Sequence, residues 1–277
     1  MNDVFIALFG LALGSFLNVC IVRLPRRESI ITPRSHCPRC DRPIAWYHNI
    51  PLASYLALRG RCAFCRQPIS PVYPLVESLT AALFVLAFRE FGPTLGFVKA
   101  AAFIMLLLVL IFTDLNDRRL PHAVTLPGIA LGLFFSLVVQ VNDQPFAWML
   151  SRANITLAMP LSSLLGALGG ALVGGGLFYI VGEAFYRIRH VEGLGFGDVM
   201  LMLMVGAFLG APLTLLTILL GSLLGIVVAL ALYGTSPRFR GRYPWPYGSF
   251  LGAAAIYASL RGNELLAAYL RWSGLGP

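Results

Sequence analysis

Charged residues are scarce in this chain of 277 residues, since Asp, Glu, Lys and Arg together make up only 12%. A soluble domain normally carries about 25% of these residues, so the deficit excludes an ordinary soluble enzyme. Hydrophobic residues make up 58%, the mean hydropathy is +0.78, and long uncharged runs recur. A helix needs roughly 20 apolar residues to cross a bilayer. The composition therefore predicts an all-α, polytopic membrane protein.

Lysine is nearly absent: 20 of the 21 basic residues are Arg, and the formal net charge is +9. The arginines fall in a few loops between apolar runs, which is typical of cytoplasmic loops. We therefore expect the charge to set the topology in a lipid bilayer, and we expect no nucleic acid partner. No basic segment precedes the first apolar run, Val4 to Val22, so that run predicts a span and no cleavable signal peptide.

Eight membrane spans are the best interpretation of the apolar runs. They cover residues 3–22, 74–91, 95–114, 120–140, 160–182, 198–211, 212–233 and 248–270. With both termini outside, the inside loops at 23–73, 114–120, 183–197 and 234–247 hold 16 of the 21 basic residues. That excess on the inner side supports the count and the orientation.

Two further predictions follow from these runs, one about a span boundary and one about helix packing. Ala211-Pro212 is the expected boundary between the sixth and seventh spans. The alternative is seven spans, with one long helix and a re-entrant piece within 198–233. The glycines of Gly166–Gly176 predict close helix packing in lipid. We recognise no internal repeat.

Two aspartates lie at the inner ends of apolar runs in this topology. Asp114 ends the third span, and Asp198 begins the sixth after alternating glycines at Gly193, Gly195 and Gly197. Glycine allows backbone conformations and close approaches that side chains forbid, so Gly195 and Gly197 are expected to shape an active-site loop. Two close carboxyls hold one proton between them. One can then activate water while the other protonates a peptide carbonyl.

Other roles are open for these acids. Asp198 would make a good helix N-cap, and Asp117 beside two arginines has the character of an interfacial charge. Asp114 and Asp117 are three residues apart and could share a helical face, so spacing does not choose between them. Intramembrane acids also mark ion pathways, as in a transporter, although these two aspartates lie at the surface and not at the midplane.

Four of the five cysteines form two CxxC pairs in the loop at 23–73. They are Cys37, Cys40, Cys62 and Cys65. This spacing predicts a tetrahedral zinc site, and the inside location disfavours disulfides. Four protein ligands leave the metal no open position, so zinc would be structural. We expect Cys20 to be a small core residue and His36 and His48 to be bystanders.

Several motifs follow one another in a specific order. They are Gly14-Ser15-Phe16-Leu17-Asn18-Val19, the two CxxC pairs with Trp46-Tyr47-His48-Asn49-Ile50-Pro51 between them, Tyr73-Pro74-Leu75-Val76-Glu77, Asp114 with Leu120-Pro121 and Thr125-Leu126-Pro127-Gly128, and Gly195-Phe196-Gly197-Asp198. From Gly14 to about Ala255 the chain resembles the type 4 prepilin peptidases, which are bifunctional leader peptidases and N-methyltransferases.

The resemblance implies a membrane aspartic protease of the GxGD kind, with Asp114 and Asp198 as its catalytic carboxylates, and it prefers Asp114 over Asp117. It implies that type 4 prepilins or pseudopilins are cut after a glycine that ends a basic leader, at the cytoplasmic face of the bacterial inner membrane. It also implies methylation of the new N-terminal residue, commonly Phe, with S-adenosylmethionine as donor. The cysteine-bearing loop is associated with this methylation.

The expected organisation is a first helix at 1–22, a cytoplasmic zinc loop at 23–73 and a seven-helix peptidase core at 74–270. Two positions depart from the family pattern: His122 stands where an acid is common, and Met200 stands where Lys is usual. Both departures leave the local charge of the site open. No glycine-rich loop after a strand marks a methyl-donor site.

Candidate partners for the basic leader are acids that could equally be ordinary interfacial charges. They are Glu28, Asp41, Glu77, Glu183 and Glu192. Three other functions stay open at this point: a peptidase that has lost methylation, a non-catalytic zinc-containing assembly factor for a pilus or secretion apparatus, and a transporter.

Overall fold

The computed structural model describes residues 2–141, 157–190, 194–235 and 245–274, and these residues are mainly helical. The described residues contain isolated β-bridges but no sheet. The α-helices are α1 (Asn2–Arg23), α2 (Ala53–Ala57), α3 (Val72–Phe91), α4 (Leu95–Asp117), α5 (His122–Ser136), α6 (Met159–Arg189), α7 (Phe196–Leu209), α8 (Ala211–Thr235) and α9 (Tyr247–Trp272). All but the short α2 lie on the apolar runs of the sequence.

Five of these helices, α1, α3, α4, α6 and α8, are long and apolar enough to cross a membrane. The helices α5 and α7 are apolar but have only 15 and 14 residues. At 1.5 Å per residue, α7 is about 21 Å long, shorter than the hydrocarbon core of a bilayer. The helical, multi-pass architecture is confirmed. The count of eight spans is not, because five helices of the described chain meet both criteria.

A break separates α7 from α8 at Gly210. Its φ of 77° lies in the left-handed region, which glycine adopts without steric cost. The N–H of Gly210 donates to the Gly206 carbonyl at 2.9 Å, and a new helix begins at Ala211. One short and one long helix therefore occupy 198–233, so the seven-span alternative of one long helix and a re-entrant piece stays open.

The chain divides into two units, Met1–Phe97 and Val98–Pro277. In the first, α1 and α3 pack closely and antiparallel. A Cβ on Gly10 would lie 2.7 Å from Ala81 Cα, and a Cβ on Gly14 would lie 2.7 Å from Glu77 Cα. At the far end of the pair, Arg89 and Asp3 form an ion pair of 2.7 Å. The small glycines thus set the distance between the two helices.

In the second unit α7 is the central element, and Leu201, Met202, Met204 and Val205 within it are fully buried. It packs against α4 through stacked Phe103 and Phe208 rings, whose centroids are 4.5 Å apart. The first turn of α7 is therefore held by the packing of the rest of the helix.

Glycines bring α6 against α7. A Cβ on Gly170 would meet the Gly206 carbonyl oxygen, and one on Gly174 would lie 2.5 Å from the Met202 carbonyl oxygen. Side chains at these positions would separate the helices, as is usual where small residues line a membrane helix interface. The predicted close packing of the Gly166–Gly176 stretch is confirmed.

Candidate active site

Asp114 lies in the last turn of α4 and is buried, with 7% of its surface exposed. Its Oδ2 atom accepts hydrogen bonds from the backbone N–H and the hydroxyl of Ser249, each 2.8 Å long. Ser249 lies in the first turn of α9. These two bonds fix the orientation of the carboxylate at the junction of the two helices.

Asp198 is the third residue of α7, whose N-cap is Gly195. Its backbone N–H donates to the Gly195 carbonyl at 3.0 Å. The alternative role of Asp198 as the N-cap is therefore wrong. A carboxylate in the first turn is stabilised by the positive end of the helix dipole. The side chain is half-buried, and the Gly195 backbone forms a hydrogen bond with its carboxylate.

The two carboxylates face a common point beside Gly248. A Cβ placed on Gly248 would lie 3.2 Å from Asp114 Oδ2 and 3.2 Å from Asp198 Oδ1. The two oxygens are therefore separated by no more than twice that distance. A water molecule or a peptide carbonyl could contact both acids at once. The structure brings together the two aspartates that the sequence singled out.

Asp117 lies one turn beyond Asp114 and is exposed to solvent. Of these two acids of α4, Asp114 is the one whose carboxylate lies beside the Gly248 position. His122, one of the two departures from the family pattern, lies against Phe196 of the Gly-Phe-Gly-Asp segment, with ring centroids 5.9 Å apart. The second departure, Met200, is half-buried in α7.

The glycines around Asp198 have different roles. Gly195 adopts φ −71° and ψ 142°, which any residue can adopt, so the expected special backbone conformation is not found there. Gly197 provides space, because a Cβ on it would lie 3.0 Å from Leu120 Cβ. Gly193 lies outside the described residues. Close approach at Gly197 and Gly248, and not unusual dihedral angles, shapes the site.

Gly248 and Ser249 were not predicted from the sequence to belong to the site. Both begin the last long helix on the side where α4 ends and α7 begins. A glycine next to a hydroxyl residue at that end of an apolar run was the available signal. The spacing to Asp114 gave no hint, since 135 residues separate Ser249 from it.

The four cysteines of the two CxxC pairs form one cluster. Their sulfur atoms all lie within 4.8 Å of one another, and the Cys37 and Cys65 sulfurs are 3.8 Å apart. Four zinc-bound sulfurs with Zn–S bonds of about 2.3 Å are about 3.8 Å apart in a tetrahedron. The N–H groups of Cys65 and Phe64 lower the pKa of the Cys62 thiol to about 6, whereas burial and the neighbouring cysteines raise the pKa of Cys65 to about 11. This donor set fits a closed zinc site.

The two cysteine pairs also form an internal repeat, contrary to the expectation of none. Each pair is closed by one β-bridge, between His36 and Pro43 in the first and between Arg61 and Pro68 in the second. In each, the first cysteine N–H donates to the residue five positions on, at 3.0 and 2.9 Å. The repeat is only nine residues long, His36–Ile44 and Arg61–Ile69, and is therefore too short to stand out in the pattern of the whole chain.

The remaining candidate residues take no part in either cluster. Cys20 is buried in α1, as expected of a core residue. The His36 ring lies 3.7 Å from Asp41, and neither His36 nor His48 belongs to the four-cysteine cluster. Glu183 pairs with Arg187 at 2.7 Å, and Glu28 is exposed. Glu192 and the arginines of residues 236–244 lie outside the described residues.

Comparisons with known proteins identify the family of the chain. Residues 8–91 match the family model of the bacterial peptidase A24 N-terminal domain. Residues 101–230 match the model of the type IV leader peptidase family. No solved structure matches the chain.

Several curated relatives are similar over most of their length, and all three named here are prepilin leader peptidase/N-methyltransferases. The protein of Myxococcus xanthus is 41% identical over 252 residues, which cover 88% of this chain and 68% of the relative. The protein of Aeromonas hydrophila is 35% identical, with 95% and 92% covered. That of Pseudomonas aeruginosa is 33% identical, with 96% and 93% covered. The chain belongs to the prepilin leader peptidase/N-methyltransferase family.

Proposed function

We propose that Asp114 and Asp198 are the catalytic carboxylates of the prepilin peptidase. The observation that supports this proposal is the position beside Gly248, where an added Cβ would lie 3.2 Å from an oxygen of each acid. Two acids this close share one proton. The ionised acid takes a proton from water as the water oxygen attacks the peptide carbonyl, and the protonated acid donates to the carbonyl oxygen. The roles then reverse, and the amine leaves with a proton.

Ser249 orients Asp114 for this chemistry. Both of its hydrogen bonds end on Oδ2, the carboxylate oxygen that lies beside the Gly248 position. Hydrogen bonds to a charged group are worth about 1.5–3 kcal/mol each, so they hold the carboxylate in one orientation. Positioning of this kind contributes to rate because small displacements of a catalytic group are costly.

The substrates are type 4 prepilins or pseudopilins, cut after the glycine that ends a basic leader. The enzyme lies in the bacterial inner membrane with eight spans, both termini outside and the active site on the cytoplasmic side. The excess of arginine in the loops on that side supports this orientation. A basic leader is attracted to the anionic inner surface of the membrane, while the apolar segment behind it stays in lipid. The scissile bond then lies at the surface, where the aspartates are.

The cysteine loop holds a structural zinc ion through Cys37, Cys40, Cys62 and Cys65. A metal ion bound by these four cysteines would cross-link the two nine-residue repeats. The Arg42 guanidinium lies 5.2 Å from the Phe64 ring centre and joins the repeats a second time. Functionally the chain divides into the first helix at 1–22, this loop at 23–73 and the peptidase core at 74–270.

After cleavage the same protein methylates the new N-terminal residue, commonly Phe, with S-adenosylmethionine as the methyl donor. The names of the relatives include this second activity, which favours a bifunctional enzyme over a peptidase alone. Membership of an enzyme family likewise disfavours a non-catalytic assembly factor or a transporter.

The test uses the full-length protein in detergent with a synthetic prepilin, and the products are weighed by mass spectrometry. Loss of the leader, followed by a gain of one methyl group only when S-adenosylmethionine is present, would support the bifunctional function. Cleavage without that gain would reduce the enzyme to a peptidase. An intact prepilin under all conditions would contradict the proposal.

A further inference from the structure

Glu77 is a buried acid without a basic partner. It lies in the second turn of α3, and 7% of its surface is exposed. No Arg, Lys or His forms an ion pair with it in the part of the chain that the structure describes. A buried charge without a counter-charge costs several kcal/mol of stability. In a membrane protein such a residue usually has a function.

The carboxylate of Glu77 contacts two neutral groups. Its Oε2 accepts the N–H of Leu52 at 2.9 Å, and the Ser15 hydroxyl of α1 lies beside it. A carboxylate can accept about four hydrogen bonds. Glu77 therefore keeps the capacity to accept further hydrogen bonds.

The position of this carboxylate is tightly fixed. α1 approaches so closely at Gly14 that a Cβ there would lie 2.7 Å from Glu77 Cα. On the other side, Leu52 is the centre of a tight turn with φ 58° and ψ −48°, closed by a 2.6 Å bond from Ala53 N–H to the Pro51 carbonyl. Such a γ-turn is rare and strained. Glu77 thus meets a constrained loop segment.

The same loop contains a second incomplete polar group. His48 Nδ1 is buried without a hydrogen-bond partner, one of two such side-chain atoms in the described chain. The loop is otherwise well bonded: Ser54 Oγ donates to the Tyr47 carbonyl at 2.9 Å and accepts the Ile50 N–H at 3.1 Å. It also exposes the apolar side chains of Trp46, Tyr47 and Ile50.

We propose that Glu77 binds the α-ammonium group of the cleaved substrate and holds it for methylation. The substrate of that step is a single amine at the end of an apolar chain. An α-amino group has a pKa near 7.7–8.0 and is mostly cationic at neutral pH. One buried carboxylate, bonded to a loop that exposes apolar side chains, matches one cation on an apolar chain. The proposal rests on the methylation part of the proposed function.

A basic leader is a poorer match for Glu77. The leader carries several cationic side chains, whereas Glu77 offers a single carboxylate. The exposed acids Glu28 and Asp41 stay the candidates for binding the leader. Amine binding therefore explains this buried, unpaired acid better than leader binding does.

The experiment measures binding to the full-length, zinc-loaded protein in detergent, without a methyl donor. The probes are two synthetic peptides with the apolar N-terminal sequence of a mature pilin, one with a free amine and one N-acetylated. Glu77→Gln removes the charge but keeps an oxygen for the Leu52 N–H. Glu28→Gln removes the same charge from an exposed position and is the matched control. Leader cleavage and zinc content report whether each variant is folded.

The wild type and Glu28→Gln should bind the free amine at least tenfold tighter than the acetylated peptide. Glu77→Gln should bind both alike while cleaving the leader normally. Undiminished discrimination by Glu77→Gln would overturn the proposal. So would equal binding of both peptides by a wild-type protein that methylates, a result that needs no variant. A wild type that never methylates would instead contradict the methylation part of the proposed function.

Discussion

Ser249 donates both its backbone N–H and its hydroxyl to a single oxygen of Asp114, across 135 residues of sequence. The contact joins the end of α4 to the beginning of α9. It also places Gly248, the neighbour of Ser249, beside both aspartates. The arrangement of the active site therefore depends on α9 as much as on the two helices that carry the acids.

Ser249→Ala should lower the cleavage rate about tenfold, with the protein still folded. The substitution removes the hydroxyl bond to Asp114 but keeps the backbone bond, and one bond to a charged group is worth about 1.5–3 kcal/mol. Steady-state cleavage of a synthetic prepilin measures the effect. Ser259→Ala in the same helix is the control, because its hydroxyl contacts only the Ile256 carbonyl. Equal rates in the two variants would exclude a positioning role for Ser249.

Gly248→Ala should nearly abolish cleavage, because its methyl group would lie 3.2 Å from both carboxylates and would exclude water. A misplacement of about 1 Å in a catalytic site can cost about a hundredfold in rate. Gly252→Ala is the control for helix packing, since its methyl group would meet only Ile111 side-chain atoms. If both variants lose the same amount of activity and stability, packing alone explains the loss.

Cys65→Ser should lose the bound metal, and methyl transfer should fail before cleavage does. A structural zinc site contributes directly to the folding of the segment that holds it. Elemental analysis of the purified protein gives the metal content, and product masses give the two activities. Cys20→Ala, which lies outside the cluster, should keep one zinc per chain. A metal-free variant that still methylates would contradict the role assigned to the loop.

Gly206→Ala should lower the thermal stability of the protein in detergent. The new methyl group would meet the backbone of Gly170, so α6 and α7 would have to separate. Overpacking of this kind typically costs about 1–3 kcal/mol. Gly176→Ala is the matched substitution, because nothing lies within 4 Å of a Cβ there. An unchanged melting temperature for Gly206→Ala would contradict the close helix contact.

Hydropathy predicted the helices well because each apolar run carries its own signal. The run at 74–91, for example, became α3 at Val72–Phe91, and the run at 248–270 became α9 at Tyr247–Trp272. Hydropathy could not tell which helices are long enough to span. The helix α7 has only 14 residues and lies at the centre of its unit. A helix buried in protein and a helix buried in lipid have the same apolar composition.

The site was predicted only in part. Alternating glycines and terminal acids indicated Asp114 and Asp198, and the CxxC spacing indicated the cysteine cluster. The rotation of α4, which buries Asp114 and exposes Asp117, is set by packing and is invisible in spacing. Gly248, Ser249 and Glu77 depend on contacts between helices far apart in sequence, so local patterns could not assign their roles.

The most direct measurement compares prepilin cleavage by the wild type, Asp114→Asn, Asp198→Asn and Asp117→Asn under identical conditions, read by the mass of the product. Each substitution removes one carboxylate with almost no change of shape. Loss of an acid–base group typically costs about 10²- to 10⁴-fold in rate, so Asp114→Asn and Asp198→Asn should fall by that amount, and the exposed Asp117→Asn should stay near wild type. Wild-type cleavage by either of the first two variants would contradict the two-aspartate mechanism.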